Sequence, residues 1–308
     1  MKVAYVFPGQ GSQWVGMGRD LYQGFAPAKA VFDQADETLG FPLSKLCFEG
    51  PEEELLQTIN AQPAIVTVSY ACLEASRNLN AGLPPASFVA GHSLGEYTAL
   101  AAAGVLDFAT TVYLARERGR LMHEAGQIVP GGMAAIIGLD EAALNDVCKE
   151  SGTRIANINC PGQIVISGAE DNLNQAMNLA KAKGAPRAIR LQVSGAFHTP
   201  LMQPAVDGMA EAIAKLSFTQ PTIPIIGNTT AQPLTTAEQV KEELLRQLCN
   251  CVQWQRSVEY MVGNGVSTFI EIGPGRVLAG LLKRIDRGVN IINIGDAEAV
   301  RLKNESFK

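Results

Sequence analysis

The chain has 308 residues, of which 47% are hydrophobic and 18% charged, and its formal net charge is −5 at pH 7. This length and composition suit a folded protein with one large core or two moderate ones. The negative charge argues against a general nucleic-acid binder, which needs an excess of basic surface. No segment approaches the roughly 20 apolar residues of a membrane span, and no signal peptide pattern opens the chain, so a cytoplasmic location is expected.

Six cysteines are spread along the chain without a Cys-x-x-Cys pair, and only three histidines accompany them. A structural zinc site needs closely spaced ligands of these types. We therefore expect reduced, buried thiols and no metal site, as in proteins of a reducing compartment.

Strand and helix patterns alternate through the first half of the chain. Apolar, strand-like runs cover residues 3–7 and 88–90, and helical patterns cover 28–39, 64–81 and the segment after 93. This alternation predicts an α/β fold with a central parallel sheet. Sheets of this kind carry their ligand sites at the carboxyl ends of the strands.

A different order of elements follows. The predicted strands cover 133–137, 154–159, 163–167 and 187–193, and the predicted helices cover 141–150 and 172–183. The order β-α-β-β-α-β is that of a ferredoxin-like unit. We therefore expect a small ferredoxin-like domain at 131–195, inserted into a large, hydrolase-like α/β domain formed by 1–130 and 196–308. Strands at 223–226 and 268–272 belong to the large domain.

The pattern Gly91-His92-Ser93-Leu94-Gly95 lies between a predicted strand and a predicted helix. Gly-x-Ser-x-Gly in this position is typical of a nucleophile elbow, although a serine there can also simply cap the helix. In an elbow, the N–H of Leu94 at the start of the helix would donate to charge that develops on an attacked carbonyl.

A serine nucleophile needs a base, and the chain offers His92, His123 and His198. His92 adjoins the serine and is expected to support the turn, whereas His123 follows a helical pattern and is expected to be partly exposed. His198 lies in a loop of small residues and is the best candidate base. The alternative is a structural histidine.

A helix is predicted to begin after Asp107, a suitable N-cap. When its residues are projected at about 100° per residue, Arg118 falls on the apolar face, whereas Arg116 and Arg120 fall outside it. A buried arginine needs acceptors for its N–H groups. An internal ion pair and a substrate carboxylate both satisfy this requirement, and the projection does not choose between them.

The segment at 7–13, Phe-Pro-Gly-Gln-Gly-Ser-Gln, follows the first predicted strand. Its glycines allow a close backbone approach to a ligand, but it lacks the lysine and the spacing of a phosphate-binding loop. A second oxyanion donor, the N–H of Gln10, fits it better.

Together these motifs resemble the malonyl-CoA:acyl carrier protein transacylase family. The matching segments are 7–13, 91–97, Arg118 with Gly119, 159–168, 195–198, 252–254 and 271–275. They occur in the family's order and span nearly the whole chain.

The resemblance implies a ping-pong transfer for fatty acid synthesis, with no cofactor. Ser93 takes the malonyl group from malonyl-CoA and passes it to the phosphopantetheine thiol of an acyl carrier protein. By the same resemblance His198 is base and then acid, the N–H groups of Gln10 and Leu94 form the oxyanion hole, and Arg118 binds the malonyl carboxylate.

Two further roles come only from the resemblance. The backbone carbonyl of Gln253 is expected to orient the imidazole, and Phe197 is expected to leave room in the acyl pocket for malonyl but not for a branched unit. The chain has Cys251 where the family often has proline.

Other functions fit parts of the pattern: an α/β-hydrolase esterase, a non-catalytic subunit of a synthase complex, or a malonyl transferase serving a polyketide synthase. A monomer is expected. An acidic carrier protein would need a basic surface, for which the sequence offers two clusters. They are Lys181, Lys183, Arg187 and Arg190 in the small domain, and Lys283, Arg284 and Arg287 near the end of the chain.

Overall fold

The computed structural model describes residues 2–78 and 82–306. The strands are β1 (Lys2–Phe7), β2 (Ala86–Gly91), β3 (Gly131–Ile137), β4 (Arg154–Cys160), β5 (Gln163–Ala169), β6 (Arg187–Arg190), β7 (Ile225–Ile226), β8 (Pro233–Leu234), β9 (Val266–Ile272) and β10 (Asn290–Ile294). The helices are α1 (Arg19–Gly24), α2 (Ala26–Leu39), α3 (Leu43–Glu49), α4 (Glu52–Leu56), α5 (Thr58–Arg77), α6 (Gly95–Ala102), α7 (Phe108–Ile128), α8 (Glu141–Ser151), α9 (Glu170–Ala182), α10 (Gln203–Ala214), α11 (Ala237–Cys249), α12 (Trp254–Gly263), α13 (Val277–Ile285) and α14 (Ala297–Ser306).

The larger sheet has the strand order β10-β9-β1-β2-β7-β8 and is parallel except for β8 at its edge. Side chains of β1 alternate between two cores: Val3, Tyr5 and Phe7 pack with α5 and α7, whereas Ala4 and Val6 pack with α12 and α13. A strand covered by helices on both faces is apolar throughout for this reason. The predicted α/β fold with a central parallel sheet is confirmed.

Strands β3 to β6 form a second, antiparallel sheet in the order β4-β5-β3-β6. One of its faces packs on α8 and α9 through a third core that includes Ile136 and Leu144. The other face carries Met133 and Val165 towards the large core. Val252, in the loop before α12, pairs with β4 through backbone hydrogen bonds of 2.8 and 2.9 Å, so this loop is attached to the second sheet.

Several predicted boundaries differ from the structure, mostly at sheet edges. β6 ends at Arg190 rather than 193, β7 holds only two residues, and β8 and β10 have no counterpart in the prediction. The helix expected at 64–81 begins at Thr58, and its predicted end at 79–81 lies outside the described residues.

Pro63 lies inside α5, one residue before the predicted start of this helix. Proline has no N–H, so the carbonyl four residues before it loses its helical partner. That carbonyl belongs to Ile59, and it accepts a hydrogen bond of 2.8 Å from Arg116 on α7. The tertiary contact thus allows the helix to continue through the proline.

Candidate active site

The segment around Ser93 makes a sharp turn between β2 and α6. Ser93 has a φ of 50°, in the left-handed region that non-glycine residues rarely adopt. A Cβ on Gly91 would lie 1.9 Å from the backbone of Gly95, and a Cβ on Gly95 would lie 2.1 Å from the carbonyl oxygen of Phe7. Only glycine fits at either position, so the sequence pattern has a direct steric cause.

Ser93 and His198 lie in hydrogen-bond contact. Ser93 Oγ is 2.9 Å from His198 Nε2, and His198 Nδ1 is 2.7 Å from the carbonyl oxygen of Gln247. Because a carbonyl only accepts, Nδ1 carries the proton and Nε2 is left to accept the serine O–H. This is the geometry of a nucleophile with its general base.

The prediction that Gln253 orients the imidazole is wrong. The orienting carbonyl belongs to Gln247, in the last turn of α11. The carbonyl of Gln253 instead begins α12, where it accepts from the N–H of Ser257 at 2.9 Å and from its hydroxyl at 3.1 Å. Cys251, the departure from the family pattern, lies four residues beyond the carbonyl that orients the base.

His198 is 4% exposed. Burial lowers its pKa to about 3, with a further lowering by the charge of Arg118, while the Gln247 carbonyl acts in the opposite direction. The imidazole therefore stays neutral, and available as a base, far below the usual histidine pKa of about 6.5.

This shift predicts the pH dependence of serine acylation. We expect the single-turnover rate of acylation to persist as the pH falls from about 7.5 to about 5, an interval in which a base of ordinary pKa would lose most of its activity. In the same interval the folded protein should lose stability, because the unfolded chain protonates this histidine near pH 6.5 and the folded chain does not. An acid limb centred near pH 6.5 in the rate of the folded enzyme would contradict the assignment.

Arg118 lies on the buried face of α7 and is 1% exposed. The next residue, Gly119, leaves no room for a Cβ, which would lie 2.7 Å from the carbonyl oxygen of Thr58, so α7 and α5 approach closely here. Arg118 Nη1 donates to Gln62 Oε1 at 2.8 Å, and Nη2 donates to Gln247 Oε1 at 2.7 Å and to Ser93 Oγ at 3.1 Å.

The two explanations left open for Arg118 can now be compared. Its partners are amide and hydroxyl oxygens, and within residues 2–78 and 82–306 no carboxylate contacts its guanidinium. Its Nε is buried without a hydrogen-bond partner in the same part of the chain. Arg118 is thus a buried cation beside the serine with an N–H group that has no acceptor in the described protein. This arrangement favours a substrate carboxylate over an internal ion pair.

The two predicted oxyanion donors lie on either side of the elbow. Leu94 follows the serine at the start of α6, and Gln10 follows Gly9, whose Cβ would lie 2.3 Å from the carbonyl oxygen of His92. The loop after β1 is thus packed directly on the elbow. Over the described ranges, neither the N–H of Gln10 nor that of Leu94 donates to another protein group.

A cavity of about 170 Å³ opens at the serine and is lined from both sheets. Ser93, His198, Arg118, Gln10 and Phe197 all line it. Gln253 lies on a separate surface cavity, and Leu94 is buried behind the serine. Five of the seven predicted site residues therefore share one cavity, with apolar walls from Met122, Met133, Val165, Leu191 and Val193.

The other two histidines take no part in the contact with Ser93. His92 Nε2 lies 2.8 Å from Asn159 Oδ1, and the ring packs edge-on against Trp254, so it supports the turn. His123 bonds Gln127 on the outer face of α7.

Sequence reasoning missed Gln62 and Gln247, the two amides that hold Arg118. A signal was present for Gln247, because a projection of α11 places it with Val240 and Leu244 on the apolar face. A polar side chain in that position needs buried partners, just as Arg118 does.

In the described part of the chain, no three histidine, cysteine or acidic side chains cluster as metal ligands would, and no helix is long and apolar enough to cross a membrane.

The acyl transferase domain family matches residues 4–298 of this chain. The malonyl CoA-acyl carrier protein transacylase of Bacillus subtilis (strain 168) is 47% identical over 312 residues, which cover 100% of the chain and 98% of that protein. The chain belongs to the malonyl CoA-acyl carrier protein transacylase family. The resemblance predicted from the sequence motifs is confirmed, and the chain is an acyltransferase.

Solved structures of this transacylase family share the whole fold. An acyl-carrier-protein-S-malonyltransferase from Bartonella henselae is 41% identical, with a TM-score of 0.95 over 100% of this chain and 99% of that one. A malonyl-transacylase in complex with its type II PKS acyl-carrier protein is 40% identical, with a TM-score of 0.95 over 99% of this chain and 100% of that one.

Proposed function

We propose that this chain transfers the malonyl group of malonyl-CoA to the phosphopantetheine thiol of an acyl carrier protein, in support of fatty acid synthesis. The observation that carries the proposal is the buried Arg118, whose Nη2 lies 3.1 Å from Ser93 Oγ and whose guanidinium contacts no carboxylate among the described residues. Malonyl is an acyl group that keeps a free carboxylate, and a guanidinium is the side chain that suits such a group best.

The first half-reaction acylates the serine. His198 Nε2 accepts the hydroxyl proton while Ser93 Oγ attacks the thioester carbonyl, and the N–H groups of Gln10 and Leu94 stabilise the oxyanion. The C–S bond then breaks, and His198 returns the proton to the departing thiolate of CoA. Arg118, which already donates to Ser93 Oγ, turns to the malonyl carboxylate.

The second half-reaction runs the same steps with the carrier. His198 takes the proton of the phosphopantetheine thiol, the sulfur attacks the ester carbonyl, and Ser93 leaves with the proton returned to its oxygen. The chain's own groups and the two substrates suffice, so no cofactor is needed. Phe197 is 4% exposed and lines the cavity, and it is proposed to limit the space beside the acyl α-carbon.

Residues 131–195 are proposed to form the inserted ferredoxin-like domain, with 1–130 and 196–308 as the large domain. Support comes from the β-α-β-β-α-β order and from the antiparallel strand order β4-β5-β3-β6. The six cysteines are all unpaired, which suits the reducing, cytoplasmic setting expected from the sequence.

The carrier is proposed to dock at the end of α13 rather than on the small sheet. Val277, Leu278 and Leu281 of this helix line the cavity, and Lys283 and Arg287 follow within two turns. The alternative cluster is partly paired within the protein, because Lys183 and Arg190 contact Glu150 and Glu170.

Charge reversal tests this docking surface. The double variant Lys283→Glu with Arg287→Glu should raise the KM for the carrier protein about tenfold, because charges at an interface rim mainly guide association. The matched variant Lys181→Glu with Arg187→Glu makes the same change in net charge and should leave that KM unchanged. Equal KM values in the two variants would remove α13 as the docking site.

CoA release distinguishes transferase from esterase. With malonyl-CoA alone, the enzyme should release about one CoA per serine and then stop, and addition of carrier protein should restore turnover in proportion to the malonyl-carrier formed. Sustained release of CoA and free malonate without a carrier would identify a hydrolase. Fatty acid and polyketide carriers compared in this assay would show which pathway the enzyme serves.

A further inference from the structure

A buried polar cluster lies behind the elbow, on the side away from the cavity. It consists of Glu96, Asn228 and Gln247, which are 0%, 2% and 0% exposed. Glu96 lines no part of the cavity, and the reaction described above does not use it. Its carboxylate is nevertheless linked to Arg118 through a single side chain, the amide of Gln247.

The hydrogen bonds fix the orientation of the Asn228 amide. Its Oδ1 accepts from the backbone N–H of Ser93 at 2.7 Å, so its other end must be the nitrogen. That Nδ2 donates to the carbonyl of Gly91 and to Glu96 Oε1, both at 2.8 Å, and the Asn228 backbone N–H also donates to Glu96 Oε1 at 2.9 Å.

The Gln247 amide is fixed in the same way. Its Nε2 donates to the carbonyl oxygen of Ser93 at 3.0 Å, so its second N–H is left for Glu96 Oε2 at 2.5 Å. Its oxygen is thereby turned to Arg118 Nη2. Both oxygens of Glu96 face donors only, which is the bonding of an ionised carboxylate.

We propose that Glu96 is a positioning residue for the acyl carboxylate: through the Gln247 amide it holds the Arg118 guanidinium beside Ser93 without occupying the guanidinium itself. This inference rests on the proposed function. A carboxylate in direct contact would form an ion pair with Arg118 and compete with the substrate. The Gln247 amide keeps the negative charge of Glu96 close to Arg118, but it leaves some of the guanidinium N–H groups available to the malonyl carboxylate.

Burial raises the pKa of Glu96 well above its usual range and the charge of Glu243 raises it further, whereas the N–H donors of Asn228 and Gln247 lower it. A protonated carboxyl would need an acceptor for its proton, and in the described residues both oxygens of Glu96 meet only donors, so the hydrogen-bond geometry assigns the charged form.

Burial lowers the pKa of Arg118, whereas Tyr97 and the charge of Glu96 act in the opposite direction and favour the charged guanidinium. Glu96 therefore compensates, through the Gln247 amide, a cation that no carboxylate contacts in the described part of the chain.

The variant Glu96→Gln tests the proposal with no change in shape. Asn228 donates two hydrogen bonds at the Oε1 position, so the oxygen of the new glutamine side chain must lie there. The new amide nitrogen then faces Gln247 Nε2, and two donors meet without an acceptor. Gln247 is expected to turn away and release Arg118. The ratio of malonyl to acetyl kcat/KM should fall at least about tenfold, because acetyl has no carboxylate for Arg118 to bind.

A second variant and a control complete the test. Glu96→Asp keeps the charge and the bonds to Asn228 but shortens the reach to Gln247, and it should lower the same ratio. Glu243→Gln makes the same substitution at a neighbouring buried carboxylate, which accepts from the backbone N–H and hydroxyl of Thr229 and whose charge raises the pKa of Glu96. Because loss of that charge favours the ionised form of Glu96, this control should not lower the ratio.

Equal losses of malonyl and acetyl transfer in either Glu96 variant would overturn the proposal, because a purely structural role lowers both together. The ratio does not depend on how much of the variant folds. Failure of the proposed function has a different outcome, since the unsubstituted enzyme would then form no malonyl-serine at all.

Discussion

Replacement of Arg118 by alanine is expected to lower kcat/KM for malonyl transfer by about 10²- to 10³-fold, equivalent to about 3 to 4 kcal/mol of transition-state stabilisation. The guanidinium is buried, and it donates to Ser93 Oγ at the point where the acyl group must lie. Its loss leaves the malonyl carboxylate in a cavity with apolar walls and no cationic partner. Acetyl transfer should fall less than about tenfold.

The measurement is kcat/KM with malonyl-CoA and with acetyl-CoA on the same preparation. Alanine also leaves Gln62 Oε1 and Gln247 Oε1 without their donor, so some loss of stability is expected. Any loss of folded enzyme lowers both values of kcat/KM by the same factor, so their ratio is unaffected. Losses of the same size for both acyl groups would show that Arg118 supports the fold rather than the carboxylate.

Replacement of His198 by alanine is expected to slow serine acylation by at least about 10³-fold. In the described ranges His198 Nε2 is the only base in hydrogen-bond contact with Ser93 Oγ. Arg118, the other partner of this oxygen, is a donor and cannot take its proton. The pre-steady-state burst of CoA release measures the acylation step directly.

A matched control is His123→Ala, which removes an imidazole from the outer face of α7. It should acylate at the rate of the unsubstituted enzyme. Added imidazole should partly restore the His198 variant by entering the vacated cavity. A His198 variant that acylates within about tenfold of the original rate would remove this residue as the base.

The central parts of the site were predictable because their signals are local. The elbow pattern follows from backbone crowding between Gly91, Gly95 and Phe7, which only glycine relieves. His198 was found by elimination among three histidines. The burial of Arg118 followed from helical periodicity alone. Its hydrogen-bond partners, visible only in the structure, then favoured a substrate carboxylate over an internal ion pair as its ligand.

The orienting carbonyl could not be found in this way. Every residue has a backbone carbonyl, so no side-chain type marks the one that faces Nδ1. The position of this carbonyl depends on how α11 packs against the elbow. The segment around Gln253, a short distance further along the chain, carries the more distinctive sequence motif. In the structure that motif has another role, since Val252 pairs with β4 of the second sheet and Gln253 is the N-cap residue of α12.

The predicted boundaries of helices and strands were wrong where the element depends on contacts with distant parts of the chain. β7 and β8 are two residues each. β7 forms by pairing with β2 on one side and with β8 on the other, and β8 is the edge strand of the sheet. The helix α5 was predicted to begin after Pro63, yet it runs through the proline because Arg116 satisfies the Ile59 carbonyl. Such partners come from distant parts of the chain and leave no pattern in the local sequence.

The most direct test of the account is the intact mass of the protein after incubation with malonyl-CoA in the absence of any carrier. The account predicts a gain of one malonyl group, located by peptide mapping on Ser93, absent from Ser93→Ala, and removed when carrier protein is added. An unmodified protein, or an adduct that persists in Ser93→Ala, would contradict it.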